Sequence, residues 1–418
     1  MDGGINSLNM VPVGRNKFEG KISNHVYEKN SYIGGHTNTV DVEEDGNKIP
    51  IDTGFIVYNE VNYPNLVKLF KKLNVPVKNS DMSFSVQYLP TGLEFCGSGI
   101  NGLFCQRKNF FNFSFLRLLY NINRFNSEAP AYLDNPKYSE HTLGKFIQEF
   151  GYHEDLLKYY LIPMSSAVWS TPIDKMKDFS AQTLIRFFYN HGFLGLNSQH
   201  QWRTVDGGSR SYVGIITQKY KDRIRLNSPV QSVTRKDKKL IVKTSNSEES
   251  YDRVIMASHA DESFQMLANP SDLEKNILSN FSYEKNIATL HTDESVMPRT
   301  KSAWSSWNYR VEGEGTGWKS SNIIYWMNSL QGVSKKKNYF VSINDTGNIS
   351  KEKIIRVIDY HHPLFNSASV GAQKDLSKLN HQGDIFYCGS YFKYGFHEDA
   401  FTSSVDLAEL ILGRSVWK

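Results

Sequence analysis

Residues 24–40 read N-H-V-Y-E-K-N-S-Y-I-G-G-H-T-N-T-V. Asn24 to Glu28 is a short β-favouring run that ends in an acid; a turn at Gly34 and Gly35 follows, then a second extended run at Thr39 to Val42. An acid at a strand end suits a ribose hydroxyl, and glycines let backbone approach a pyrophosphate. The same residues also make an ordinary surface turn. Just beyond, Asp52-Thr53-Gly54-Phe55 offers a carboxylate and a position without a side chain, suited to packing a planar ring or to a plain Asx turn.

Outward from this stretch, Pro64 followed by Leu66, Leu69, Phe70 and Leu73 predicts an amphipathic helix over 61–75. From 110 to 200 the reading is mostly helical, with apolar runs at Phe115 to Ile122, Leu143 to Phe150 and Leu184 to Phe188. After Gly207-Gly208 strands are predicted at Arg223 to Leu226, Val230 to Thr234, Leu240 to Thr244 and Arg253 to Ala257, the last as a buried parallel strand. Alternation over 285–345 predicts a sheet carrying Trp304, Trp307, Tyr325 and Trp326. Asp384 to Cys388 reads as a strand, Gly389 as a turn and Ala400 to Leu412 as a helix. The segment G-F-H-E-D-A (395–400) leads from a glycine turn into that helix, whose free N–H groups and dipole suit phosphate oxygens or make a simple cap. Strands and helices at both chain ends, with an insertion between them, suggest an α/β nucleotide-binding domain assembled from separated segments.

Composition narrows the function classes. With 418 residues, 39% hydrophobic and 22% charged, the chain can bury two or three domain cores and lacks the charge excess of a disordered protein. A net charge of 48 − 43 = +5 over this length argues against a nucleic-acid partner. Cys96, Cys105 and Cys388 are too scattered for a disulfide framework or a metal-ligand pair, which predicts a reducing, cytoplasmic setting. No apolar run reaches the roughly 18 residues of a spanning helix. Among His191, His259, His361, His362 and His397 the spacing shows neither metal ligation nor a nucleophilic triad, so no metal is expected.

Eight blocks in order carry more than any one motif. They are 28–40, quoted above, I-D-T-G-F-I-V-Y-N-E (51–60), S-D-M-S-F-S-V (80–86) and N-G-L-F-C-Q-R (101–107). They continue with W-R-T-V-D-G-G-S-R (202–210), A-W-S-S-W-N-Y-R (303–310), Y-W-M-N-S-L-Q-G (325–332) and Y-G-F-H-E-D (394–399). From about residue 24 onward the chain resembles the FAD-containing amine oxidase and phytoene desaturase superfamily, more closely its bacterial-type branch of predicted NAD/FAD-binding, amine-oxidase-like proteins.

The resemblance implies noncovalent FAD in a Rossmann-like domain built from 1–75, 205–265 and 380–418, with an α+β substrate domain from 76–204 and 266–379. It implies that Glu28 binds the adenosine ribose, that Gly34, Gly35 and Thr37 line the pyrophosphate, and that Asp52 and Gly54 lie near the flavin. His36 stands where the superfamily usually has Arg. Val230 would meet the adenine, Ala257 would follow the next strand of the cofactor domain, and Gly389 with Gly395 to Ala400 would close the phosphate and flavin side. There G-x-x-E-G-A reads G-F-H-E-D-A, with Asp399 at a glycine position; His397 and Glu398 are the candidate catalytic residues.

One departure is large. The superfamily opens on an apolar strand and G-x-G-x-x-G, whereas this chain begins M-D-G-G-I-N-S-L, so the first strand and its fingerprint are expected to be missing or degenerate. The implied reaction is hydride removal from a substrate carbon to the flavin. A lipid-like substrate, unsaturated acyl or isoprenoid, is expected from the Phe- and Trp-rich sections, and 110–190 reads first as a packed helical subdomain, with peripheral contact to a membrane surface as the alternative. A flavin amine oxidase, and a non-catalytic relic or binding subunit without cofactor affinity, are the competing readings.

Overall fold

A computed structural model describes residues 24–133, 135–138, 140–169, 173–195, 200–313 and 320–418. The expected loss of the first strand and glycine fingerprint falls on residues outside this set. The fold is mixed α/β. Strand Val26–Tyr27 pairs in parallel with Ile224–Arg225, and Val254–Met256 pairs in parallel with Ile385–Tyr387, so the two chain ends and the middle share small parallel sheets. The Val254–Met256 strand is only partly buried, because its first two residues sit at intermediate exposure.

Two hairpins follow from their turn residues. Asp45 and Gly46, at φ 51° and 77°, close Thr39–Glu44 onto Asn47–Asp52, the left-handed pair that a two-residue hairpin turn needs. Asp237 and Lys238 do the same between Val230–Lys236 and Lys239–Thr244, with a bulge just after Val230.

The largest sheet has seven strands in the order Ile354–Leu364, Ser282–His291, Phe340–Ile343, Ser320–Trp326, Trp307–Glu312, Phe84–Tyr88, Leu93–Cys96. Only Trp307–Glu312 beside Phe84–Tyr88 is parallel. Tyr88, Tyr309 and Tyr325 of this sheet share one continuous core with Leu161, Phe188 and other residues of the helical section. Trp304, expected in the sheet, lies just before it at the end of a short 3-10 turn.

The helix expected over 61–75 is Pro64–Leu73, starting at a proline that needs no N–H partner and stopping at Asn74 in the left-handed conformation. The C-terminal helix starts earlier than its apolar pattern suggests, at His397, and runs to Leu412 before Gly413 at φ 66°.

Candidate active site

Four sequence-distant blocks meet around one buried chain of contacts. Thr37 Oγ1 lies 2.9 Å from the Tyr212 hydroxyl, which lies 2.6 Å from His397 Nε2. The His397 ring stacks on Phe55 with centroids 3.8 Å apart and planes 8° from parallel. Thus the Gly34–Thr37 turn, the end of Asn47–Asp52, the helix Arg210–Thr217 and the start of His397–Leu412 are held together. Burial pushes the His397 pKa down to about 3, so the ring is neutral near physiological pH.

The turn itself is set by glycine. Gly34 adopts φ 122° and its carbonyl accepts the Thr37 N–H at 2.8 Å. Gly54 faces the next step of that turn, where the His36 carbonyl accepts the Phe55 N–H at 2.8 Å. Asp52 is fully buried and does not project as a free acid. It accepts hydrogens from Thr39 Oγ1, from both the N–H and hydroxyl of Ser209, and from Gln331 Nε2. Burial outweighs those bonds and raises its pKa to about 6.

His36 stacks on Tyr360 at 4.6 Å, with the rings of His362 and His259 at 5.3 and 6.2 Å. Burial lowers the pKa of His259 to about 4 and holds that of His362 well below its ordinary value, so these two rings offer neutral imidazole hydrogen bonds and no fixed charge. On the other side, Glu28 is buried at the end of its strand, its carboxylate accepts the Asn30 N–H, and its carbonyl accepts the Ser228 N–H, which brings the segment before Val230 alongside. Ala257 and Gly389 sit at adjacent ends of the second parallel pair, where the Cys388 N–H reaches the Met256 carbonyl. Gly389 is extended, a backbone open to any residue, and its N–H donates to Ser403 Oγ.

The acids of the 394–399 block act on backbone. Glu398 accepts the N–H groups of Asn65 and Leu66, each at 2.9 Å, capping the positive end of Pro64–Leu73 where the proline has no N–H of its own. Asp399 accepts the N–H groups of Tyr394 and Phe396 and folds Gly395, at φ 91°, into the helix start; burial raises its pKa to about 7.

Buried polar atoms nearly always find a partner. Ser390 Oγ and His397 Nδ1 are fully buried and have none among the described residues. His397 lies in the 395–400 segment and Ser390 directly follows Gly389, the two places that the resemblance assigns to the phosphate and flavin side, so these polar atoms are compatible with a polar cofactor. Sequence reasoning passed over Tyr212, Ser209, Gln331 and Phe55; all four lie in or just beyond quoted blocks, and the hydroxyl or amide types inside those blocks were the available signal.

The family model for flavin containing amine oxidoreductases matches residues 20–326. The chain belongs to that family. It is an FAD-dependent oxidoreductase, and FAD is its cofactor. No curated protein matches this flavoprotein. Among solved structures it is similar to putrescine oxidase bound to putrescine, at 12% identity, 93% coverage of each chain and TM-score 0.63. It is also similar to cyclohexylamine oxidase from Brevibacterium oxydans, at 13% identity, 93% coverage of each chain and TM-score 0.63. A third, the CLA-producing fatty acid isomerase from P. acnes, has 12% identity, 92% coverage of each chain and TM-score 0.62. At these identities the likeness is one of fold.

Proposed function

We propose that this oxidoreductase acts on a lipid-like substrate, an unsaturated acyl or isoprenoid chain, as a desaturase or oxidase. The observation that carries the reading is that the buried carboxylates are already committed to protein donors. Glu44 takes the hydroxyls of Ser334 and Tyr339, Glu94 the N–H groups of Arg299 and Thr300, and Glu274 the side chains of Arg235 and Tyr387. Asp293 takes Lys353 and the Ser350 N–H, Asp52, Glu398 and Asp399 have the partners given above, and Glu28, which accepts the Asn30 N–H, is the acid assigned to the ribose. Among the described residues, holding an ammonium would mean burying a cation without a spare acid, which is costly.

Several rings that suit an ammonium cage or an acyl wall equally well are engaged in packing. Trp304 and Trp326 pack edge to face at 5.5 Å in a separate core with Phe340, and Lys301 already lies over Trp304. Tyr391 packs against Phe281 in another. The tyrosine-lined core between the large sheet and the helices supports an apolar wall instead. Solved neighbours whose names cover both amine oxidation and fatty acid isomerisation are compatible with either chemistry on this fold.

In this reading the segments 1–75, 205–265 and 380–418 form the Rossmann-like FAD domain, and 76–204 with 266–379 form the substrate domain. Bound FAD supplies hydride acceptance. The chain's own residues position it: Glu28 takes the ribose, Gly34, Gly35, His36 and Thr37 the pyrophosphate, and Val230, Ala257 and Gly389 the adenine and phosphate side. Asp52, Gly54, Gly395 and Asp399 shape the flavin side. His397 is the proposed catalytic residue there, its Nδ1–H free to donate when Nε2 accepts from Tyr212. Glu398 positions that motif by capping Pro64–Leu73. Peripheral contact with a membrane would deliver such a substrate.

Anaerobic mixing with long-chain unsaturated acyl lipids is expected to bleach the flavin faster than primary amines or polyamines do. Bleaching by amines alone reverses the assignment. Glu28→Ala is expected to weaken FAD binding by roughly 1–3 kcal/mol, about 5- to 150-fold in Kd. A flavin titration unchanged by the substitution would remove Glu28 from the ribose site.

A further inference from the structure

We propose that the surface built by residues 99–120 docks the protein onto an anionic lipid bilayer. It consists of the helix Gly99–Leu103, the 3-10 turn Arg107–Phe111 and the first turns of the helix Phe113–Glu128. That last helix is apolar on two faces. Phe115 and Leu118 pack inward on Val86 and Phe95 at the edge of the large sheet. Phe113, Leu116 and Tyr120 lie on the outer face, 87%, 38% and 67% exposed. A helix serving only the protein core would turn polar groups outward there.

The outer face continues through Phe111, 88% exposed, Phe110 and Ile100. Single exposed apolar residues are ordinary, but six grouped in one short segment mark a contact surface. The tip is built rigidly: Asn112 Oδ1 accepts the N–H groups of Ser114 and Phe115, which fixes Phe111 and Phe113 on either side of the cap. Phe110 is stacked on Phe104 at 4.0 Å, and Arg107 bonds Asn101 to join the turn to the first helix.

Charge selects the occupant. No Asp or Glu occurs from Phe95 to Ser127, whereas Arg107, Lys108, Arg117 and Arg124 do. Arg117 and Arg124 are paired with Asp155 and Glu128, leaving Arg107 and Lys108 exposed beside the phenylalanines. Exposed Lys301 stands on a turn packed beside Gly99–Leu103. Inserted aromatic rings and a small basic cluster are each weak anchors; together they are the two signals that stable binding to an anionic surface needs. A second copy of the chain is the rival occupant, and the oligomeric state distinguishes it.

The purpose of this surface rests on the lipid reading, but its test is binding without turnover, so either can fail alone. Full-length flavoprotein is co-sedimented with phosphatidylcholine vesicles with and without phosphatidylserine. Partition is expected to be about tenfold stronger with phosphatidylserine and to fall with added salt. The double variant Phe111→Ser/Phe113→Ser is expected to lose about tenfold or more, with its melting midpoint and flavin absorbance unchanged because both side chains are exposed. Arg107→Glu/Lys108→Glu is expected to remove the preference for phosphatidylserine. The proposal is overturned if the wild-type protein stays in the supernatant, if the phenylalanine variant binds equally well, or if the wild-type protein is a dimer that this variant dissociates.

Discussion

Asp52→Ala is expected to lower stability by roughly 1–3 kcal/mol or more, read as a fall in the urea midpoint at unchanged slope. The carboxylate is fully buried and holds Thr39, Ser209 and Gln331, which belong to a hairpin, to the approach to Arg210–Thr217 and to Met327–Gln331. Alanine leaves those donors facing each other across a gap, and each buried group without a partner costs roughly 1–3 kcal/mol before relaxation. Asp52→Asn keeps one acceptor oxygen and separates shape from charge. Because burial raises the folded pKa to about 6, above the ordinary 3.8, the folded chain keeps a proton that the unfolded chain has released. The contribution of Asp52 is therefore greatest below about pH 4 and declines by roughly 1.4 kcal/mol per pH unit until about pH 6. The stability difference between wild type and Asp52→Asn should change over that window, and urea midpoints at several pH values measure it. A difference that stays constant from pH 4 to 7 would mean that Asp52 does not titrate there.

What could be read in advance divides by the range of the interaction. The Glu28 strand end, the Gly34 turn, the Pro64 helix and the strand at Ile385–Tyr387 depend on residues a few positions apart, so propensity and spacing locate them. Glu398 stands out as an acid in a motif, yet its partners are the N–H groups of Asn65 and Leu66, more than three hundred residues away in sequence. Periodicity carries no information about that pairing. Tyr212 is similar: two residues past a quoted block, it looks like one helical tyrosine among 23 tyrosines, and only folding sets its hydroxyl between Thr37 and His397. Trp304 and Trp326 mislead in the opposite direction, since their side-chain type suits a substrate wall while their packing is a small separate core.

Gly54→Ala is expected to disturb both folding and cofactor retention, although the backbone there is not of the left-handed kind that only glycine tolerates. The reason is space. A Cβ on Gly54 would lie 2.2 Å from the His36 carbonyl oxygen and 3.0 Å from its carbon, and both are backbone atoms that cannot swing aside. The same carbonyl accepts the Phe55 N–H, and Phe55 carries the His397 ring, so displacing residue 36 loosens the Gly34–Thr37 turn and the stack together. Forcing a methyl into such a contact costs roughly 1–3 kcal/mol or more. If the turn holds the pyrophosphate, the same strain appears as about a 5- to 150-fold loss in FAD affinity. Gly214→Ala is the matched control, because a Cβ in the helix Arg210–Thr217 meets nothing within 4 Å. There alanine is expected to stabilise by roughly 0.4–1 kcal/mol through reduced freedom of the unfolded chain. Purified together, the Gly54 variant should be paler and melt lower, and the Gly214 variant fully yellow and melt slightly higher. Full flavin and a normal midpoint in Gly54→Ala would show that the turn can step away from residue 54 without cost, and the close approach would then have no part in holding the cofactor.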